Sequence, residues 1–175
     1  MLRGLLFRFG LLFVMLSFAP GGRSQTGSGA NLDVVSLRGA RALVVVVEEL
    51  RPSSVQAGLS KAWLKKAVTD WLEAGGVRVL PETRLSELPG WEHLYINVNA
   101  TSPQASAGEF FVFNVDVALK QSVALTRDKQ IETIATTWEQ GSVGPATRSN
   151  LSARVGAVVK GYVDKFLRDW RTVNK

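Results

Sequence analysis

The chain has 175 residues, with 21 lysines and arginines, 15 aspartates and glutamates, one histidine and no cysteine. At 46% hydrophobic residues it can bury the core of one domain, which excludes a disordered chain. The lack of cysteine excludes a disulfide scaffold, a thiolate zinc site, a thiol nucleophile and a lipidated cysteine, and one histidine excludes any site that needs two.

Residues 1–24 have the pattern of a secretory signal peptide. An uncharged run, Phe9 to Phe18, follows two arginines and precedes small residues, with the best cleavage point after Ser24. The alternative is an uncleaved anchor that counts Leu5 to Ala19 and tolerates Arg8, although a spanning helix needs roughly 20 apolar residues. Cleavage removes three arginines and no acidic residue, so the net charge of the mature chain falls from +6 to +3. We therefore expect a periplasmic or secreted bacterial protein without a stable transmembrane span after cleavage and without a nucleic-acid partner.

The remaining chain divides into a leader and one domain. Residues 25–36 are rich in glycine, serine and threonine, which predicts a flexible leader to a single domain over residues 37–175. Within this domain, Leu43 to Val47 is apolar at odd and even positions, which predicts a central strand covered on both faces. Ser60 to Ala74 has the apolar spacing of a helix, with a serine N-cap and Gly75-Gly76 as its stop.

Further elements follow from alternation, turn residues and helical spacing. They are a short strand Val77 to Leu80, a loop Pro81 to Gly90, strands Leu94 to Asn99, Phe111 to Leu125 and Ile131 to Gln140, a Gly/Pro loop Gly141 to Ser149, and an amphipathic helix from Leu151 to Trp170. This order predicts an α+β fold, with one mixed, mainly antiparallel sheet of about five strands and two helices packed on one face.

Motifs that carry chemistry are absent from the sequence. The nucleophile elbow, the zinc-protease, dinucleotide and Walker motifs and the EF-hand loop do not occur. His93, at a strand entrance, has no recognisable nucleophile beside it. Glu48 and Glu49 are neighbours on a strand and face opposite ways, so an acid/base pair with Asp116 is not indicated. We expect a non-enzymatic protein with no catalytic residues, no cofactor and no metal.

Two groups of residues are candidates for binding. Gly141, Ser142 and Gly144 precede a helix, where backbone N–H groups could hold an anion, although a strand-to-helix connection needs flexible residues in any case. Trp63 and Trp91 fall outside the apolar stripes and are candidates for exposed recognition residues. Trp71 and Trp170, in contrast, fall on helical apolar stripes and are expected in the core.

The strands also predict an apolar strip on the sheet face away from the helices. Two helices cover one face only, and Phe110 and Val112 alternate with the stripe that faces the core. Tyr95 has the same relation to its own strand. We expect Tyr95, Phe110 and Val112 to form a partner surface beside Asn97, Asn114 and Asp116, unless the N-terminal segment or the loop Pro81 to Gly90 folds over it.

Several short segments resemble a family of exported bacterial proteins that is uncharacterised, over roughly residues 37–175. The matching segments are Leu37-Arg38-Gly39, Val46 to Leu50, Ala57-Gly58-Leu59, Leu94 to Asn99, Ala135 to Trp138 with Gly141 and Gly144, and Val163 to Phe166 through Val173-Asn174. The element order is similar to small envelope-assembly modules such as the lipopolysaccharide-assembly lipoprotein fold. The chain departs from those in lacking the lipidated cysteine, so the resemblance does not imply a lipid anchor.

Three classes of function follow. The first is an exported binding or assembly module of the bacterial envelope that contacts an envelope protein or a second copy of itself. The second is a carrier of a small apolar or anionic ligand, which requires a cavity between helices and sheet. The third is a hydrolase, which requires two acidic groups that converge in a cleft.

Overall fold

The computed structural model describes residues 29–103 and 109–175, and the signal peptide expected over residues 1–24 lies outside this range. The α-helices α1 to α4 span Gly29–Val35, Pro52–Gln56, Lys61–Ala74 and Leu151–Val173. The strands β1 to β5 span Ala42–Val47, Arg78–Leu80, His93–Thr101, Phe110–Leu125 and Asp128–Thr147, and a 3-10 helix covers Glu82–Glu87.

The five strands form one mixed sheet in the order β2-β1-β3-β4-β5, which confirms the predicted α+β class. Strand β1 is parallel to both β2 and β3, so it is central, as its apolar sequence predicts. The β3–β4 and β4–β5 pairings are antiparallel and much longer than the parallel ones. The long helices α3 and α4 pack on one face of this sheet, and the structure adds the shorter helices to the two that were predicted.

The core lies between α3, α4 and the sheet. Helix α3 begins as predicted, because the Ser60 hydroxyl accepts a hydrogen bond from the Trp63 backbone N–H. On β3 the alternation is regular: Leu94, Ile96 and Val98 are buried beneath the helices, while the residues between them are half-buried. Burial of such side chains stabilises the fold by about 1.5–3 kcal/mol each.

A second, smaller apolar cluster lies on the other face of β1. Val44, Leu80 and Leu88 are buried there, and Leu85 of the 3-10 helix packs against them. The segment between β2 and β3 therefore covers part of the face that the long helices leave open. The expectation that β1 is covered on both faces is confirmed.

Two element predictions differ from the structure. Residues 29–35 form helix α1, where a flexible leader was expected, and the turn after it is tied to the domain because Ser36 Oγ donates to the Thr137 carbonyl at 3.1 Å. Strand β5 continues to Thr147, through the stretch that was predicted as a Gly/Pro loop. As an edge strand of the sheet, β5 has a neighbour on one side only, which is where proline and glycine are tolerated.

The predictions for the tryptophans are only partly correct. Trp63 and Trp91 are 45% and 48% exposed, as predicted. Trp71 and Trp170 are half-buried at the margin of the core and not inside it. Trp138, which the sequence did not single out, is buried, because a bulge in β5 turns its ring toward Phe166 of α4.

Candidate functional site: the open face of the sheet

The face of β3, β4 and β5 that points away from α3 and α4 carries two different surfaces. Asn97 on β3 lies opposite Asp116 on β4, and Asn99 lies opposite Asn114. Residues that face each other across antiparallel strands share one face of the sheet. These four polar side chains therefore form a compact group in the middle of the open face.

Hydrogen bonds extend this group toward β1. The Glu48 carboxylate, just beyond the end of β1, accepts hydrogen bonds from the Tyr95 hydroxyl and from Asn97 Nδ2. Asn97 Oδ1 in turn accepts from Asn99 Nδ2, and Asp116 Oδ1 accepts from Asn114 Nδ2 at 3.4 Å. We call these residues the polar row; it comprises Glu48, Tyr95, Asn97, Asn99, Asn114 and Asp116.

Tyr95 is fixed in the polar row from two sides. Its hydrogen bond to the Glu48 carboxylate, together with burial and the negative charge of that carboxylate, raises the pKa of Tyr95 to about 12. Lys120 Nζ lies 3.6 Å from the centroid of its ring, a cation–π contact. The phenol therefore stays protonated and donates to Glu48 throughout the physiological pH range.

A depression of about 590 Å³ lies beside the polar row, over β4 and β5. Its lining is mainly polar and includes Asn114, Asp116 and Ser142. Gly141 contributes by its lack of a side chain, because a Cβ at this position would collide with Oδ1 of Asp116. The Asp116 carboxylate can lie across the strand only because position 141 is glycine.

The other surface is apolar. Phe110 and Val112 on β4 are 41% and 42% exposed, and Val143 on β5 is 69% exposed. Val143 lies opposite Asn114, and Pro145 lies opposite Val112, so these side chains are neighbours across the two strands. We call Phe110, Val112, Val143 and Pro145 the apolar end of the open face.

The predicted strip of Tyr95, Phe110 and Val112 is therefore divided. Phe110 and Val112 are exposed, as expected. Tyr95 lies opposite Ala118, six positions along β4 from Val112, which corresponds to roughly 20 Å. The polar row occupies the space between, so Tyr95 belongs to that row and not to the apolar end.

The anion loop predicted at Gly141, Ser142 and Gly144 is not a loop. All three residues lie within β5 and pair with Asp116, Val115 and Phe113 of β4. A Cβ at Gly144 would lie 2.9 Å from Cζ of the Phe113 ring, which explains this glycine by packing. The segment does not present a turn of backbone N–H groups before α4.

The titratable residues that were considered as catalytic candidates contact groups close to them in the fold. His93 Nδ1 is 2.8 Å from the Trp91 carbonyl oxygen. Glu48 and Glu49 face opposite ways, as expected, because Glu49 pairs with Lys61 at the start of α3 at 2.6 Å. Among residues 29–103 and 109–175, histidine, aspartate and glutamate form no group of three that could hold a metal ion.

Sequence reasoning placed Asn97, Asn114 and Asp116 beside the predicted strip, but it did not join them into a hydrogen-bonded row. Asn97 and Asn99 alternate with buried residues, which places both on the open face. The register between β3 and β4, which brings Asp116 and Asn114 beside them, is a property of the folded sheet. Neither does the sequence show that β1 pairs in parallel with β3, which brings Glu48 beside Tyr95 and Asn97.

Comparison with known proteins gives little further information. The chain matches no protein-family model and no curated protein. Among solved structures, the PelC dodecamer of Paraburkholderia phytofirmans is similar over 76% of this chain and 89% of that chain, with 16% sequence identity and a TM-score of 0.40. Within the part of the chain that the structure describes, no helix has the length and apolar character needed to cross a membrane.

Proposed function

We propose that the chain is an exported, non-enzymatic binding or assembly module of the bacterial envelope, and that the apolar end of the open face is its contact surface. The supporting observation is the exposure of three large apolar side chains, Phe110, Val112 and Val143, on adjacent strands. Such side chains leave water when a second protein surface covers them, and clustered exposure of this kind is typical of interaction sites.

The polar row can set the orientation of a partner that binds the apolar end. Protein interfaces combine an apolar centre with polar groups that form hydrogen bonds at their margin. Here carboxamides and carboxylates lie on one side of the apolar end, and several of their hydrogen bonds are internal to the row. The partner, an envelope protein or a second copy of this chain, binds Phe110 and Val112 and is oriented by contacts along Asn114 and Asp116.

The packing of the core favours this function over that of a small-ligand carrier. A carrier needs a cavity between the helices and the sheet. In this structure buried side chains from both layers, such as Phe113, Val159 and Phe166, fill that space. The depression beside the polar row has a mainly polar lining, so it fits a protein contact better than a small apolar ligand.

The contact surface is tested by replacing Phe110 and Val112 with serine. We expect the thermal midpoint to stay within a few degrees of the parent, because both side chains are already exposed, and association to be lost. Sedimentation velocity over a range of concentrations measures self-association, and co-purification from envelope extracts measures association with another protein. Ile131→Ser is the matched control, since Ile131 is 45% exposed on the same sheet but lies far from the apolar end.

Unchanged association in the double variant would show that the apolar end is not the interface. A large loss of stability would show instead that these side chains belong to the core of the protein.

Export is tested separately, by the intact mass of the protein recovered outside the cytoplasm. Cleavage after Ser24 gives a chain that begins at Gln25. A full-length mass would support the uncleaved anchor.

A further inference from the structure

A pocket of about 450 Å³ lies at the end of the molecule where α4 finishes, remote from the open face. Three segments meet there: the turn between α1 and β1, the turn between α3 and β2, and the last residues of α4. The charged side chains in its lining are Arg38, Arg41 and Lys175, and the lining includes no acidic side chain. Trp170 and Val173 provide the apolar part of its wall.

The walls of this pocket are held in place by hydrogen bonds. Trp170 Nε1 donates to the Ala40 carbonyl at 2.6 Å, and Asn174 Nδ2 donates to the Leu37 carbonyl at 2.8 Å. The Gly39 N–H donates to Asn174 Oδ1 at 2.7 Å, which Gly39 reaches in a left-handed conformation at φ +83°. These bonds fix the turn that carries Arg38 and Arg41 against the end of α4.

The third wall is tied to the same helix. Arg171 donates to the Gly75 carbonyl at 3.0 Å, and Gly76, with φ +93°, completes the tight turn that lines the pocket. The pocket is thus formed by ordered backbone on three sides. A site of this kind needs little reorganisation when a ligand enters.

In the part of the chain that the structure describes, the positive charge of Arg38 and Arg41 is not balanced by an ion pair. Within residues 29–103 and 109–175, no acidic group forms an ion pair with Arg38, Arg41 or Lys175. The C-terminal end of a helix offsets only roughly half an elementary charge, whereas the guanidinium groups of Arg38 and Arg41 alone carry about two. The excess favours a multiply charged anion as ligand.

We propose that this pocket binds a phosphate group that is part of a larger organic molecule. A phosphate monoester carries about −1.5 to −2 charges at neutral pH, which matches the unbalanced cations. Guanidinium groups bind phosphate through paired N–H donors, and Arg38 and Arg41 lie on one short, fixed turn. The organic part of the ligand packs on the exposed side of Trp170 and Val173. This site is separate from the proposed contact surface and does not depend on it.

The phosphate group could belong to either of two kinds of ligand, a soluble phosphate ester or the headgroup of an anionic lipid, and binding measurements distinguish them. Calorimetric titration with inorganic phosphate and with hexyl phosphate measures the first. Co-sedimentation with vesicles of phosphatidic acid, whose headgroup is a phosphate monoester, in phosphatidylcholine, against vesicles of phosphatidylcholine alone, measures the second. Tighter binding of hexyl phosphate than of inorganic phosphate is expected from the apolar wall.

The test compares the parent with the double variant Arg38→Gln/Arg41→Gln. Each guanidinium group supplies charge-assisted hydrogen bonds to the phosphate, so we expect binding to weaken at least about tenfold, which is about 1.4 kcal/mol. The matched control is Arg127→Gln/Lys129→Gln, which removes the same charge from the turn between β4 and β5 and from the start of β5, and it should bind like the parent. Circular dichroism confirms that both variants are folded.

Loss of binding to the alkyl phosphate alone in the double variant identifies a soluble ester, and loss of binding to the phosphatidic acid vesicles identifies a lipid headgroup. The proposal is overturned if neither ligand binds to the parent. It is overturned equally if the double variant and its control weaken binding to the same extent, because that would reflect net charge and not this pocket.

Discussion

Trp138 and Trp170 show how a bulge and a helix end place two similar side chains in different surroundings. Trp138 is 2% exposed, and its ring meets Phe166 edge-on with centroids 5.3 Å apart. Its Nε1 donates to Asp169 at 2.9 Å, and Asp169 also pairs with Lys165 on α4. Trp170, in contrast, packs at the margin of the core and donates to a backbone carbonyl.

Truncation of the two tryptophans should therefore differ in cost. Trp138→Ala is expected to lower the free energy of unfolding by about 3–5 kcal/mol, as for large aromatic side chains in cores. Trp170→Ala should cost less, about 1–3 kcal/mol, because part of its ring is already in water. Urea denaturation of both variants measures the difference, and equal losses would contradict the ranking.

Tyr95 provides a prediction about pH. Its pKa is raised from 10.0 to about 12 in the folded protein, chiefly by the hydrogen bond to Glu48. Between these values the unfolded chain releases the phenolic proton while the folded chain retains it. The stabilising contribution of this bond is therefore complete below about pH 10 and is lost as the pH rises through about 12.

Absorbance near 295 nm during a pH titration measures this ionisation. The chain has two tyrosines, so Tyr162→Phe is used as the background that isolates Tyr95. Adding Glu48→Gln removes the negative acceptor and should move the midpoint back toward 10. A midpoint near 10 in both proteins would show that the bond to Glu48 does not form.

At the scale of the element, α4 contains a pair of glycines that test its packing. A Cβ at Gly156 would lie 2.7 Å from Cη2 of Trp63 on α3, whereas a Cβ at Gly161 would have no neighbour within 4 Å. Helix α3 therefore approaches α4 closely where Gly156 lies. Alanine is favoured over glycine in a helix interior by about 1 kcal/mol, so the two substitutions start from the same gain.

Gly161→Ala should raise the free energy of unfolding by about 0.5–1 kcal/mol. Gly156→Ala should lower it by about 1–3 kcal/mol, because the indole must move to make room. Thermal unfolding of both variants gives the signs directly. If both variants were stabilised equally, the contact between Trp63 and Gly156 would not constrain the helices.

The far part of the β4–β5 hairpin is a second element with a distinct stability. The β3–β4 pairing ends at His93 and Lys120, and the Ser122 N–H still donates to the Gly90 carbonyl at 2.6 Å, so the segment from Val123 to Leu125 pairs with β5 alone. Side chains on both faces of this arm are at least partly exposed, including Ile131 and Ile134. Two-stranded hairpins without a covered face are only marginally stable in water.

Hydrogen exchange should separate the arm from the rest of the sheet. Backbone amides of residues 123–134 are expected to exchange through local opening, with a much smaller free energy than those of residues 111–119, which open with the whole domain. Exchange measured by NMR or mass spectrometry tests this. Equal protection along the hairpin would mean that a second protein molecule or another segment covers the arm.

At the scale of the molecule, the sequence predicted the elements that depend on local residue preferences. The strand at Leu43 to Val47, the serine-capped helix that follows it and the long C-terminal helix depend on residue preferences and apolar spacing, and all three are present. Strand β5 could not be predicted to its end. Gly141 and Gly144 lie beneath Asp116 and Phe113 of the neighbouring strand, and only the register shows this.

The candidate sites were less accessible to prediction than the fold. Exposure of Phe110 and Val112 follows from alternation along a single strand, and it was predicted. The polar row needs the register of two strands, and the cationic pocket needs three segments to meet. Bonds such as that between Ala40 and Trp170 span 130 positions of the chain, a separation that no local pattern encodes.

The same bonds have a consequence for the newly made chain. Asn174 reaches back 137 positions to Leu37, so the turn before β1 cannot be secured until nearly the whole domain has been synthesised. At about 5–20 residues per second, this leaves β1 without its final surroundings for roughly 7–27 seconds. Its run of four valines is the most apolar strand of the sheet. During that interval this strand is the segment we expect a holding chaperone to bind.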